Sequence, residues 1–340
     1  MQLVMQPQHH RFGMTPESFE IVARSPNLDV ALVQCVVCVP TFRRPLMLER
    51  TLQSLAAQQG DLAFAVIVIE NDAKDRLGAA MAAQFMTMGE INGLVIVEPA
   101  QGNCNAYNAG WRCALTQFPH ARFICGIDDD EQANPQWLAQ LIAGAQISGS
   151  GIVGGSVTPV FEDPKGERYR LHPIFRSHYS TSGNVPMIYS SANYLIRREV
   201  FEASPWPFLD VSFNFIGGGD TDFFTRAKAR GIGFYWRQEA SMMETMPPRR
   251  SEKSWIAARG YRNGMISTLI ERKSDPSLKG NLRRIFRSIA LLAMAPVRSM
   301  ILGARTRSMT IGLYHCQVAI GRLMAEMGLS IEQYRAPEKN

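Results

Sequence analysis

Two rhythms of apolar and polar positions alternate along this 340-residue chain. Nearly continuous apolar, β-branched runs at residues 30–39, 64–69, 94–97, 123–127 and 152–157 suit strands buried on both faces. Between them lie stretches with helical spacing: 46–57, with Leu48, Leu52 and Leu55 on one face, then a segment reaching Met88, then 105–118 and 135–147. The alternation predicts an α/β fold, a mostly parallel central sheet flanked by helices. Residues before about Leu28 are polar and weakly periodic and read as a loosely packed arm. After Pro159 the pattern loosens. Residues 161–186 are rich in turn formers and aromatics and predict a mobile loop over a site. Residues 187–196 and 233–236 read as strands, and 223–230 and 254–272 as helices.

In a parallel sheet, ligands bind at the carboxyl ends of the strands. Three polar clusters fall directly after predicted strands: Pro40-Thr41-Phe42-Arg43-Arg44, Glu70-Asn71-Asp72 and Asp128-Asp129-Asp130-Glu131. That placement alone predicts a site. No glycine-rich dinucleotide fingerprint follows the first strand and no phosphate loop occurs, which tells against hydride transfer and ordinary ATP hydrolysis.

Composition sharpens the picture at two points. The net charge of +6 is uneven: of 36 Lys/Arg and 30 Asp/Glu, 11 and 4 lie from Lys273 onward, which leaves 25 and 26 before it. A near-neutral body with a basic tail disfavours nucleic acid as a partner and points the tail at an anionic one, such as a membrane surface. In the tail, Arg283, Arg284 and Arg287 precede an apolar run at 289–297 that contains Pro296; Arg298, Arg305 and Arg307 follow. Nine uninterrupted apolar residues fall short of the about 20 that span a bilayer, so the tail is expected either to lie in a membrane interface or to pack on the body. The six cysteines include Cys35-x-x-Cys38, but three positions apart in a strand point to opposite faces. Buried free thiols are expected, as in a reducing cytoplasm. The N-terminus lacks an apolar core flanked by basic residues, so no signal peptide is expected. His9 and His10 adjoin the arm and receive no role.

Asp128-Asp129-Asp130 is the sharpest chemical feature. Positions i and i+2 of an extended turn face the same way, so Asp128 and Asp130 can offer two hard oxygen ligands to Mg²⁺ or Mn²⁺, with phosphates completing the octahedron. The bland alternative is a capping turn before Pro135, but a cap needs one carboxylate. Glu70-Asn71-Asp72 reads either as base or ribose recognition or as an Asx turn. Three glycines before Asp220 let backbone approach a ligand, so Asp220 is a candidate base, whereas Asp222 suits the start of a helix. Residues 244–250 (ETMPPRR), then Trp255, Arg259 and Arg262, gather cations near the end of the body; Arg259 and Arg262, spaced i, i+3, share a helix face, and the cluster would suit a diphosphate or merely solvent.

Together these segments resemble the family 2 glycosyltransferases of the GT-A fold. The likeness runs through 36–45 (VVCVPTFRRP), 66–72 (VIVIEND), 102–110 (GNCNAYNAG), 127–131 (IDDDE), 193–201 (NYLIRREVF), 217–223 (GGGDTDF) and 249–264, in that order. Its flavour is that of bacterial enzymes that build exopolysaccharide or lipopolysaccharide. The resemblance implies an inverting, metal-using hexosyltransferase that takes a sugar from a nucleotide-diphosphate donor to a saccharide or glycolipid acceptor. Pro40, Thr41, Arg44, Glu70, Asn71, Asn108, Asp128, Arg259 and Arg262 would serve the donor. Asp128, Asp130 and Glu244 would hold Mn²⁺ or Mg²⁺, and Asp220 would be the base. The likeness spans about 30–267; taken with the patterning and the charge count, the expected division is an arm at 1–28, a donor half at 29–160, an acceptor half at 161–272 and a basic helical tail at 273–340, on a cytoplasmic enzyme whose tail is the candidate for peripheral membrane contact. Four positions depart from the pattern: Glu70 and Tyr107 stand where Asp and Arg are usual, Gly219 where an acid precedes the base, and Glu244 where a late ligand is often His. A sugar nucleotidyltransferase, or a non-catalytic sugar- or nucleotide-binding protein with a decayed site, are the competing readings.

Overall fold

The protein, a computed structural model, is described at residues 19–189, 192–329 and 331–332; His9, His10 and most of the predicted arm lie outside this range. The first half runs β1 Glu20–Arg24, β2 Cys35–Thr41, α1 Pro45–Ala56, β3 Phe64–Glu70, α2 Leu77–Thr87, β4 Gly93–Val97, α3 Asn103–Gln117, β5 Phe123–Gly126, β6 Glu131–Ala133 and α4 Trp137–Ser148. It continues through β7 Ile152–Phe161, β8 Gly183–Val185, β9 Tyr194–Arg197, α5 Arg198–Glu202, α6 Gly219–Ala229 and β10 Phe234–Met246. Among the described residues four helices follow: α7 Lys253–Ser274, α8 Leu278–Thr306, α9 Met309–Gly312 and α10 Tyr314–Glu326.

One sheet organises the body in the order β1-β4-β3-β2-β5-β9-β7-β10-β6, with β8 paired to β10. Strands β4, β3, β2 and β5 are parallel, as are β7 and β10. The antiparallel β9 joins the two sets. The sheet is thus mixed but mostly parallel, and it runs through both predicted halves. Alternation within its strands builds two cores. Val36 and Cys38 with Ile67, Ile69 and Ile96 face α3 and α6, while Cys35, Val37 and Val39 with Val66, Val68 and Val95 face α1, α2 and α4. Cys35 and Cys38 therefore sit on opposite faces, and all six cysteines are free.

The differences from the sequence reading have physical causes. Within the predicted arm, 20–24 form an edge strand on β4, although every one of its five residues is at least partly solvent-accessible. The strand expected at 30–39 starts only at Cys35. That expected at 187–196 begins at Tyr194, and residues 190–191 lie outside the described range. The short strand expected at 233–236 extends to Met246, because pairing with β7 on one side and β6 on the other satisfies polar stretches that apolar patterning misses. Loop 162–182 forms two short 3₁₀ turns, Pro164–Tyr169 and Pro173–Phe175.

The tail does two things at once. Helix α10 packs tightly on α7: a Cβ at Gly264 would run into the Val318 carbonyl, and one at Gly321 into that of Tyr261. Helix α8 continues unbroken through Pro296 for 29 residues. By length and composition it could cross a membrane, with an 18-residue window of mean hydropathy 1.6. Apolar residues continue on both sides of the nine-residue run, past Arg287-Ser288 and Arg298-Ser299.

Candidate active site

The carboxyl ends of β2, β3 and β5 open onto one cavity of about 200 Å³. Pro40, Thr41, Arg44 and Asn71 form one side of it and Asp128, Asp129 and Asp130 its floor. Strand β10 brings Glu244 alongside, because Glu244 pairs in register with Glu131 and the Thr245 N–H donates to the Asp130 carbonyl at 2.9 Å. Arg250 enters from the turn after β10, and Arg259 with Trp255 from the first turns of α7. Ile174 and Phe175, from the loop predicted to lie over a site, complete the wall.

The acids do not lie open as a bare cluster. Arg44 meets Asp129 at 3.3 Å and Asp130 at 3.2 Å. Arg250 bridges Asp130 at 2.9 Å and Glu244 at 2.7 Å. The Thr41 hydroxyl donates to Asp129 at 2.9 Å, and the Tyr107 hydroxyl to Asp128 at 2.7 Å. Even so, negative charge is in excess. Burial, then the neighbouring Asp130, push the Asp128 carboxyl up to about 8 despite the Tyr107 hydrogen bond. Burial raises Asp129 to about 6, against the opposing pull of Arg44. Glu131 is driven well up by burial and by Asp128, and Glu244 is raised by burial although Arg250 opposes it.

A divalent cation fits this donor set. Among the described residues no three His, Cys, Asp or Glu side chains gather into an all-protein cage. Mg²⁺-type sites, however, use one or two carboxylates and complete their shell with water and substrate phosphate. Asp128 and Asp130 offer those two carboxylates on one cavity, and the raised Asp128 carboxyl marks a place where added positive charge is favourable.

Eight of the residues singled out from sequence meet here: Pro40, Thr41, Arg44, Asn71, Asp128, Asp130, Glu244 and Arg259. Asn71 does so while stitching loops together: its amide donates to the Glu98 and Ala100 carbonyls and accepts from the Gly102 N–H. Four residues lie off this cavity. Glu70 is fully buried, and its carboxylate accepts the N–H groups of Asp72 at 2.9 Å and Ala79 at 3.1 Å, which ties the β3 end to the start of α2. The expected base or ribose contact is therefore replaced by a backbone anchor. Asn108 clamps α3 to Leu209 through both its amide nitrogen and oxygen, each at 2.8 Å. Arg262 is buried on α7, where its charge, more than that of Arg259, opposes the rise of Asp220.

Asp220 lines a second, much smaller cavity with Tyr107, Tyr194 and the three glycines. Asn103 lines both cavities. Asp220 is half-buried, and burial raises its carboxyl. Gly217 and Gly218 take φ of 81° and 93°, values that suit glycine, and a Cβ on Gly219 would sit 2.6 Å from Cys104 Sγ. An acid before Asp220 would thus require Cys104 to shift. Asp222 is occupied otherwise, accepting from Arg226 Nε and Lys273 Nζ at 2.9 Å each. Sequence reasoning gave no separate role to Asp129 or Phe175, placed Arg250 and Trp255 only within a cation-rich segment, and noted Tyr107 only as standing where Arg is usual. For Arg250 and Phe175 the sequence gave the segment but not the contacts, because those depend on how the turn after β10 and the loop after β7 carry the side chains to the site.

Comparison with known proteins agrees with this geometry. The model of glycosyl transferase family 2 matches residues 36–204. The succinoglycan biosynthesis protein ExoM of Rhizobium meliloti is 30% identical over 230 residues, covering 66% of this chain and 71% of that protein. Among solved structures, S. aureus TarS 1–349 in complex with UDP superposes with a TM-score of 0.51 at 12% identity, over 87% of this chain and 92% of the other. The Pyrobaculum calidifontis mannosyltransferase PcManGT in complex with GDP-Man and Mn²⁺ gives 0.54 at 16% identity, over 89% of each chain. With the sheet order and the acid-floored cavity, these likenesses identify a GT-A fold, and the chain belongs to the family 2 glycosyltransferases, enzymes that transfer a sugar from a nucleotide-sugar donor.

Proposed function

We propose that this glycosyltransferase is metal-dependent and inverting, and that it adds a sugar to a saccharide or glycolipid acceptor during bacterial cell-surface polysaccharide synthesis. The observation that carries this reading is the joining of Asp128, Asp130, Glu244 and the arginines Arg44, Arg250 and Arg259 on one cavity at the strand ends. A nucleoside diphosphate presents the complement: phosphate oxygens for the arginines and further oxygens for a cation. Asp128 and Asp130 would hold Mn²⁺ or Mg²⁺, with Glu244 beside them; the ion would neutralise charge on the departing diphosphate. Mn²⁺ in the mannosyltransferase complex supports this choice. Residues 29–160 would serve the donor and 161–272 the acceptor.

Asp220 is the proposed base. It takes the proton of an acceptor hydroxyl, whose oxygen bonds to the anomeric carbon from the face opposite the leaving group. The bond from that carbon to the diphosphate oxygen breaks, the diphosphate leaves with the electron pair, and the configuration inverts. Arg44, Arg250 and Arg259 stabilise the charge that develops there. Burial, which raises Asp220, makes its carboxylate the more basic. The expected setting is the cytoplasmic side of a membrane, in keeping with the basic tail.

Calorimetric titration of nucleoside diphosphates and triphosphates, with and without Mn²⁺, tests the reading. The expected result is Mn²⁺-dependent binding of a diphosphate. A preference for triphosphate would favour a nucleotidyltransferase, and sugar binding without either nucleotide would favour a non-catalytic protein.

A further inference from the structure

Helix α8 is built inside out. The stripe it turns toward the protein is small or polar: Gly280, Arg284, Ser288, Ala295 and Ser299. Arg284 reaches Glu326 of α10 at 2.9 Å, Arg322 Nε donates to Ser288 at 3.1 Å, and Ser299 meets Cys316 at 3.3 Å. The stripe it turns outward is apolar: Leu278, Leu282, Phe286, Ile289, Val297 and Met300 recur at helical spacing, with Leu278 78%, Phe286 74% and Met300 67% exposed. At about 1.5 Å per residue this stripe is about 33 Å long. A soluble helix does the opposite, so the outward face calls for an apolar environment beyond the chain.

The charges say which environment. The 29 residues of α8 include no acid. Lys279, Arg283, Arg287 and Arg298, all exposed, each follow one residue after Leu278, Leu282, Phe286 and Val297. One residue is about 100° of helix rotation, so the basic groups border the apolar stripe along its length. That is the pattern of a helix lying in a headgroup layer, apolar side down and cations at the phosphates. A second copy of the chain on this face would bring two basic borders together, with no acid on either helix and only Arg287 offset, by Glu271 of α7 at 3.0 Å. A transmembrane course would carry Arg284, Glu326, Arg322 and Glu271 into hydrocarbon or break their pairs, at high cost.

We infer that α8 docks the protein flat on an anionic bilayer, with Leu278, Leu282, Phe286, Ile289, Val297 and Met300 in the interface. The inference does not depend on the proposed metal or base. It does bear on the site: Leu302 of α8 and Ile311 of α9 pack in one apolar cluster with Phe175, Met246 and Trp255. Three of those residues wall the cavity, so docking holds the cavity mouth close to the lipid surface.

Flotation of the full chain with phosphatidylglycerol/phosphatidylcholine vesicles, against vesicles of phosphatidylcholine alone, tests this. The parent should float with the anionic vesicles, less so as salt rises, and be released by high salt without detergent. Phe286→Glu with Ile289→Glu, both exposed positions, should lower binding by about tenfold or more while the melting temperature holds. Arg283→Gln with Arg298→Gln should weaken binding to anionic vesicles and flatten its salt dependence. Equal flotation of parent and variants would overturn the inference, as would extraction only by detergent, or a dimer that Phe286→Glu dissociates without any vesicle binding. Diphosphate titration of the same samples keeps the two readings apart, since loss of nucleotide binding would count against the donor site and not against the docking face.

Discussion

At the scale of single residues, the site is a balance between buried acids and the cations set against them. Asp128 is lifted to about 8 and Asp129 to about 6, whereas an unfolded Asp titrates near about 4. In this interval the native state holds protons that the unfolded chain has already released. The stability these groups contribute is therefore full below the unfolded value and is lost as pH rises through their folded values. Without metal, the melting temperature should fall from about pH 7 to about pH 8, above the range in which the lowered His172, His178 and His315 act in the opposite sense, and Mn²⁺ should restore most at the upper end. A melting temperature that rises over this interval without metal contradicts the assignment. Asp130→Ala should keep the fold, because Arg44 retains Asp129 and Arg250 retains Glu244, yet abolish the Mn²⁺ dependence of diphosphate binding in calorimetry. Tyr107→Phe should weaken Mn²⁺ binding near neutrality, since the hydroxyl hydrogen bond favours the ionised Asp128. Of these features, the acid run was legible because four consecutive acids after an apolar strand have few structural uses. The arginine bridge was not legible, because Arg250 lies 120 positions from Asp130 and the contact depends on the β6–β10 pairing.

At the scale of elements, continuous apolar strands and leucine-spaced helices were readable because one period dominates each. Strand β10 was readable only at its start, since its later polar positions are satisfied by neighbours on both sides and carry no hydrophobic signature. Short β6 and β8, three residues each, are below what periodicity can resolve. Glycines that set helix spacing were equally hidden. Gly264 lets α7 approach the Val318 carbonyl of α10, a relation that no local pattern encodes. Gly264→Ala should therefore cost about 1–3 kcal/mol by overpacking, seen in chemical denaturation, with diphosphate affinity little changed. An unaltered midpoint would mean that the two helices part freely. Asp222→Asn belongs here too: it loosens the tie from α6 to Lys273 of α7 and to Arg226, and should lower stability before it lowers turnover.

At the scale of the whole molecule, the division into a neutral body and a basic tail was plain in the charge count, but the tail's two faces were not. Sequence left membrane contact and packing on the body as alternatives. The fold assigns packing to α10 and leaves the α8 face open. Removing everything after Lys273 would strip α7 of its partner helix, so the tail's role is better probed by surface substitutions in the full chain. The family assignment fixes the class of reaction, and its central mechanistic claim rests on a carboxylate outside the main cavity. The most direct test compares the parent with Asp220→Asn and Asp222→Asn, using the nucleotide sugar that most raises the melting temperature. Asp220→Asn should bind that donor normally and melt near the parent temperature, with turnover lower by about 10²- to 10⁴-fold, while Asp222→Asn keeps most of its turnover. Parent-like turnover in Asp220→Asn, or a larger loss in Asp222→Asn, would contradict the assignment of Asp220 as the base.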